Sequence, residues 1–365
     1  MKLKTLTTLA VLGLAATLAS AQQQQGVTKD EIRIGTIQDL SGPLAGFGKQ
    51  ARNGMQLRVD ELNEQGNVNG RKLKLFVEDS GYDPKKAVLA AQKLVNQEKI
   101  FIMAGHIGAA RKMGEPLNRL KYSFAATYYD QIRLALPKMI KDKAAKKVCT
   151  IYQDDEFGLE VQRGAEAGLK AAGMELAEKT SFKRGATDFS SQVAKMKAAN
   201  CDLVVLGTII RETIGTVGEA RKTGFNPTFL GSSAAYTDLI HKLGGKAMDG
   251  VYATMTVQNP YTDEQSQPLR FWANKYKTKF NEDPTVFSVY GYVIIDSFIK
   301  AATKAGPNLT TDSFIKAMDS ITFEPDMFGS PKSTYTATKR LGNDQSRLSQ
   351  IKDGKWVVVS DYVTP

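Results

Sequence analysis

From residue 31 onward the chain alternates strand-like and helix-like stretches, and the alternation restarts once. "EIRIGTIQDL" (31–40) alternates apolar and polar residues and is rich in β-formers. "GKQARNGMQLRVDELNEQG" (48–66) carries Met55, Val59 and Leu62 on one helical stripe and stops at Gly66. "RKLKLFVEDS" (71–80) is a second strand, after which Asp83 caps and Pro84 opens the helix "PKKAVLAAQKLVNQE". "IFIMAG" (100–105) is a continuous apolar run of the kind buried on both faces of a parallel sheet. After residue 145 the pattern begins again, with strands at 146–155, 175–185, 202–207, 227–232 and 250–257. The helices "GLEVQRGAEAGLKAAG", "DFSSQVAKMKAAN" and "RETIGTVGEARKTG" lie between the first four of these strands. Two consecutive βαβαβ blocks predict an α/β protein of two doubly wound lobes with right-handed crossovers. The remainder predicts a long helix ("QPLRFWANKYKTKF"), an apolar helix ("FSVYGYVIIDSFIKAATKAG") and a C-terminal hairpin turning at Asp353-Gly354.

A chain of 365 residues is longer than one core usually holds, which agrees with two domains. Residues 1–21 are expected to stand outside both. Lys2 and Lys4 form a basic start, Leu6 to Leu18 is an apolar run too short to span a bilayer, and Ala19-Ser20-Ala21 is a small-x-small cleavage pattern. That is a secretory signal peptide, cut after Ala21. No other stretch reads as long and apolar enough to cross a membrane. A soluble chain exported to a bacterial periplasm is therefore expected. Lys and Arg outnumber Asp and Glu 49 to 38, a net +11. These charges are scattered through helical patterns beside acids, as on a solvated surface, and no nucleic-acid partner is expected. Cys149 and Cys201 are too few for a disulfide framework or a CxxC zinc site. Both begin predicted strands, so a bridge and two buried thiols both fit.

Ligands of open α/β sheets bind beyond the carboxyl ends of the strands, which picks out the loops after residues 40, 105, 153, 207 and 231. None carries an enzyme signature. "GPLAGFG" after the first strand has the wrong spacing for GxGxxG and a proline where a phosphate loop needs N–H donors. There is no GxxxxGK[ST], no GxSxG and no HExxH; His106 and His241 form no metal cluster with other residues. Asp154-Asp155-Glu156 reads as the cap of the next helix. No catalytic residue, metal or cofactor is expected, and no enzymatic activity.

The order of motifs is more specific. It runs "IRIGTIQDLSGPLAGFG", "NGMQLRVDELNEQGNVNGRKLKLFVEDSGYDPKKAVLAAQKLV", "AGHIGAA", "VCTIYQDDEFGLEVQRG" and "GATDFSSQVAKMKAANCDLVVLG". This order resembles the periplasmic solute-binding proteins of branched-chain amino acid type ABC transporters, the type I leucine/isoleucine/valine-binding proteins and their relatives. The resemblance implies two Rossmann-like lobes closing about a hinge on a small ligand that is handed to an ABC permease, with a monomer expected. It implies a first lobe over 27–121 with a return over about 258–330, a second over 122–257, and a hinge-crossing segment over 331–365.

Residue by residue, the resemblance places Phe47 against the ligand from the turn after the first strand. It places His106, Ile107, Gly108 and Ala109 in the loop whose backbone N–H groups meet a ligand carboxylate, with Ala109 where relatives have serine. Phe157 stands where amino-acid binders have tyrosine, and Thr208, Ile209 and Arg211 follow "DLVVLG". Ser232 and Ser233 stand where amino-acid binders place a carboxylate for the ligand's ammonium. A buried ammonium without a carboxylate costs several kcal/mol. The substitution therefore favours an aromatic or apolar organic acid, with Arg211 as its carboxylate partner, unless Glu212 or Glu156 turns inward. An amino-acid binder of the same class is the alternative, and a ligand-sensing module for a receptor is an alternative of another kind. A second departure lies at Lys121-Tyr122, where a family-typical segment is missing and with it one strand of the first lobe. A true deletion and an omitted segment both fit.

Overall fold

Ile32 and Ile34 alternate with Arg33 along the first strand, and this period of two drives both isoleucines into a fully buried cluster. The computed structural model describes residues 24–105 and 108–364, so the signal-peptide reading of residues 1–21 lies outside the described residues. The first lobe runs β1 (Glu31–Gln38), α1 (Ala45–Gln65), β2 (Lys72–Asp79), α2 (Pro84–Asn96) and β3 (Ile102–Met103). Its strands pair in parallel in the order β2-β1-β3. Asp83 caps α2 as its side chain predicts, accepting from Lys85 N and Lys86 N.

The stretch 100–105 differs from expectation. Only Ile102 and Met103 are strand, and both are half-buried. The reason is position: β3 is the edge of a three-stranded sheet, with no fourth strand beyond it among the described residues. The chain instead leaves Gly108 through a short irregular segment that reaches Ser123, which bridges to Leu341.

The second block follows as α3 (Tyr128–Lys143), β4 (Val148–Gln153), α4 (Glu156–Ala171), β5 (Leu176–Phe182), α5 (Ser190–Ala198), β6 (Leu203–Gly207), α6 (Arg211–Lys222), β7 (Thr228–Gly231), α7 (Asp238–Gly244) and β8 (Tyr252–Met255). Beyond it lie α8 (Gln267–Phe280), α9 (Val286–Ala305), α10 (Thr311–Met318), β9 (Thr322–Phe323), β10 (Ser333–Thr334), β11 (Arg347–Lys352) and β12 (Lys355–Val358). The larger sheet has the order β12-β11-β8-β7-β6-β4-β5. Strands β4 to β8 are parallel, and the hairpin β11–β12 adds antiparallel to β8. Central β6 is buried along its whole length, as its unbroken apolar run predicts. Cys149 on β4 and Cys201 just before β6 are bridged, with Cα atoms 5.9 Å apart, which decides between the two readings of the cysteines.

Helix α9 corrects the reading that nothing after residue 21 is long and apolar enough to cross a membrane. By length and composition Val286–Ala305 qualifies. Its apolar residues are needed inside the protein, where it packs along α1. Gly54 and Gly291 let the two backbones touch: a Cβ on Gly54 would lie 1.9 Å from the Ser288 carbonyl, and one on Gly291 2.0 Å from the Ala51 carbonyl. Arg58 of α1 reaches Asp296 of α9 at 2.9 Å, and Lys300 meets the same carboxylate at 2.8 Å.

Candidate ligand cleft between the two lobes

Loops beyond strand ends of the two lobes meet: Tyr82, after β2, lies under Arg184, after β5, and Lys112, after β3, reaches Glu156, after β4, at 2.8 Å. At the end of β1, Asp39 accepts from Gly42 N at 2.6 Å and Leu44 N at 2.7 Å, folding "DLSGPL" back so that α1 starts at Ala45. Phe47 thereby falls on the first turn of α1. Its ring is 2% exposed and stacks on Phe287 of α9, with centroids 3.7 Å apart and planes inclined at 14°. It lies in the core beneath the cleft rather than at an open mouth, because α9 supplies a partner some 240 residues along the chain. Gln38 is buried; its Nε2 donates to Gly105 O at 2.6 Å, while its Oε1 has no partner among the described residues.

Of the loop after β3, His106 and Ile107 lie outside the described residues. Gly108 has φ +152, and Ala109 is buried with its carbonyl accepting from Tyr128 N at 2.9 Å. On the other side Asp155 caps α4, and Phe157 sits on the first turn, edge-on to Tyr128 with centroids 4.9 Å apart. Burial pushes the Tyr128 phenol up, and burial likewise raises Tyr290 to about 12. The Tyr290 hydroxyl lies beside that of Thr256, whose side chain pulls the phenol the other way.

The loop after β6 spends its polar groups on itself. Thr208 Oγ1 is 2.6 Å from Thr213 Oγ1, and Thr213 also donates to Ile209 O, so the Thr208 hydroxyl anchors the start of α6. Ile209 is buried. Arg211 has a side chain 53% exposed that pairs with its neighbour Glu212 at 3.2 Å, whereas the Glu212 side chain is only 8% exposed. Glu212 faces inward; burial raises the phenol of Tyr82 in the first lobe, and the charges of Asp155 and Glu212 add to that rise. After β7, Ser232 is buried and its Oγ accepts from Ala234 N at 3.3 Å. Ser233 N donates to Gln131 Oε1 at 2.9 Å, and Thr254 Oγ1 donates to the same oxygen at 2.9 Å.

Phe157, Ala109, Ile209 and Ser232 thus come from four loops that the rule about strand ends had singled out. Tyr82, Gln131 and Tyr128 were missed. The rule about strand ends reaches Tyr82 too, since it follows β2 within three residues. Gln131 and Tyr128 carry no motif; only the fold brings α3 under the loop after β7.

Comparison with known proteins agrees with this fold. A periplasmic binding protein family model matches residues 31–121 and 106–355, two stretches that overlap just before Lys121-Tyr122. The leucine-, isoleucine-, valine-, threonine- and alanine-binding protein of Pseudomonas aeruginosa is 26% identical over 340 residues, covering 87% of this chain and 86% of that protein. A fatty acid ABC transporter substrate-binding protein from Thermomonospora curvata superposes with a TM-score of 0.81 at 23% identity, covering 93% of this chain and 94% of its own. An ABC transporter solute-binding protein from R. palustris, in complex with benzoate, does so at 0.77 and 18% identity, covering 91% and 96%.

Proposed function

The chain belongs to the periplasmic binding protein family, and from that premise we propose that it is the extracytoplasmic ligand-binding component of an ABC importer. It captures a small organic carboxylate in the interlobe cleft by hinge closure and passes it to a permease. Closure follows because a ligand touching both lobes makes all its contacts only when they are shut. The proposed lobes are 27–121 with 258–330, and 122–257, joined through 331–365, whose hairpin β11–β12 extends the second sheet.

The observation that carries the substrate class is the make-up of the walls. Phe157 and Ile209 are apolar and Tyr128 presents an aromatic ring, the ring of Phe47 lies in the core below them, and the loop after β7 offers Ser232 and Ser233 where an ammonium would need an acid. Backbone N–H groups of the loop after β3, at Ile107 to Ala110, take the carboxylate. Arg211 contributes little, being exposed and paired with Glu212. The similar folds of a fatty acid transporter's substrate-binding protein from Thermomonospora curvata and of a solute-binding protein from R. palustris in complex with benzoate fit an apolar acid. Inward-facing Glu212 favours a second reading, an amino acid whose ammonium meets that carboxylate.

A thermal-shift comparison of benzoate, 3-phenylpropanoate and octanoate with L-leucine and L-valine separates them. Stabilisation by the acids is expected, and Arg211→Ala should change their affinity by less than about twofold, as for an exposed ion pair. Stabilisation by L-leucine alone, abolished in Glu212→Gln, would replace the first reading with the second.

A further inference from the structure

Two consecutive residues at the end of β2 adopt left-handed backbone, Gly81 at φ 54 and Tyr82 at φ 59. Glycine does this freely, whereas a bulky side chain pays strain. The turn itself has no use for a ring. Gly81 N is met by Asp79 Oδ1 at 2.8 Å, Tyr82 N by Ser80 Oγ at 3.2 Å, and Asp83 caps α2. What the strain does is aim the side chain across the cleft. The Tyr82 ring lies under the guanidinium of Arg184, which follows β5 in the other lobe, 4.5 Å from its centroid. Arg184 is in turn held by Asp155 at 2.5 Å, and Asp155 is tied down as the cap of α4 and by Gln153 Nε2 at 2.6 Å.

We propose that Tyr82 and Arg184 form a clamp that closes the lobes independently of ligand and so sets the affinity of the cleft. This rests on the reading of the cleft as a binding site that opens and shuts. Among the other contacts across the gap, Lys112–Glu156 at 2.8 Å and Lys242–Asp283 at 3.6 Å are exposed ion pairs of little weight, while Arg111 lies over the Tyr129 ring at 4.9 Å and Ala109 O accepts from Tyr128 N at 2.9 Å beside the Lys121-Tyr122 crossing. Tyr82–Arg184 sets a cation on a half-buried ring and, with Arg184 held by Asp155, is oriented before any ligand arrives. A population held shut binds without paying for closure, so releasing the clamp should weaken apparent affinity about three- to tenfold.

Small-angle scattering of the ligand-free protein reads the clamp without knowing the ligand. Arg184→Ala and Tyr82→Gly should each enlarge the radius of gyration, and the double variant should add nothing further. Tyr82→Phe keeps the ring and should behave as the parent. Tyr82→Gly relieves the left-handed strain, so its melting temperature should hold or rise while the lobes open, separating closure from folding. Unchanged scattering in both single variants, or opening in Tyr82→Phe, would overturn the clamp. Failure of every acid and amino acid to bind would instead overturn the functional reading and leave the scattering result standing.

Discussion

Asp79 closes β2, and its carboxylate accepts from Leu40 N and Gly81 N, each at 2.8 Å, and from the Ser41 hydroxyl at 2.5 Å. Led by the Ser41 hydroxyl, these donors hold the group down to about 2 from an ordinary 3.8. A carboxylate depressed in the folded state stabilises it fully above its unfolded value and loses that contribution as pH falls through the folded value. Urea unfolding midpoints of the parent should therefore drop between about pH 4 and pH 2 more steeply than those of Asp79→Asn. Parallel curves would show that the turn does not depend on this charge. At this scale the sequence was partly readable. Asp83 as a cap and Asp155 at the head of α4 could be named from side-chain chemistry alone. The destinations of Phe47 and Tyr82 could not, because Phe287 and Arg184 lie far along the chain and only the tertiary fold brings them near.

Among the elements, the pairing of α1 with α9 is the least forgiving. With carbonyls where their Cβ atoms would go, Gly54 and Gly291 cannot be replaced without moving a helix. Gly291→Ala should cost about 1–3 kcal/mol through overpacking, seen as a lower melting temperature with the disulfide intact; an unchanged melt would mean the crossing is loose. Most helices and strands were legible from periodicity, and their bounds shifted by only a few residues. Helix α10 and the two-residue strands β9 and β10 escaped, and two other elements were only half legible. The shortness of β3 depends on a neighbour that its own apolar run cannot report. The hairpin β11–β12 was visible at Asp353-Gly354, but its docking on β8 depends on an edge formed about a hundred residues earlier.

On the scale of the whole molecule, a buried ion pair ties the crossing segment to the first lobe. Arg340, with a side chain 3% exposed, reaches Asp319 at the end of α10 and lies over the Tyr122 ring, 4.6 Å from its centroid. Its backbone carbonyl accepts from Ser123 N at 2.9 Å, so the first and last crossings between lobes meet here. Asp319→Asn would leave a buried cation without its counter-charge and should cost about 3–5 kcal/mol, measured by urea denaturation; a loss under about 1 kcal/mol would place the pair in solvent. The two-lobe plan itself was legible because each block repeats the same alternation. The way the segment at Tyr122-Ser123 meets Arg340 was not, since no local pattern marks it.

Asp296 has a second consequence beyond tying α9 to Arg58. A protein exported unfolded shows every oily stretch to the lipid before that stretch can find its partners. An acid near the middle of such a stretch costs about 2.5–3.5 kcal/mol to leave in a bilayer. In an exported chain, the carboxylate that locks α9 against α1 after folding would also be its release tag during passage. It would keep a segment apolar enough to lodge in the membrane moving through to the far side.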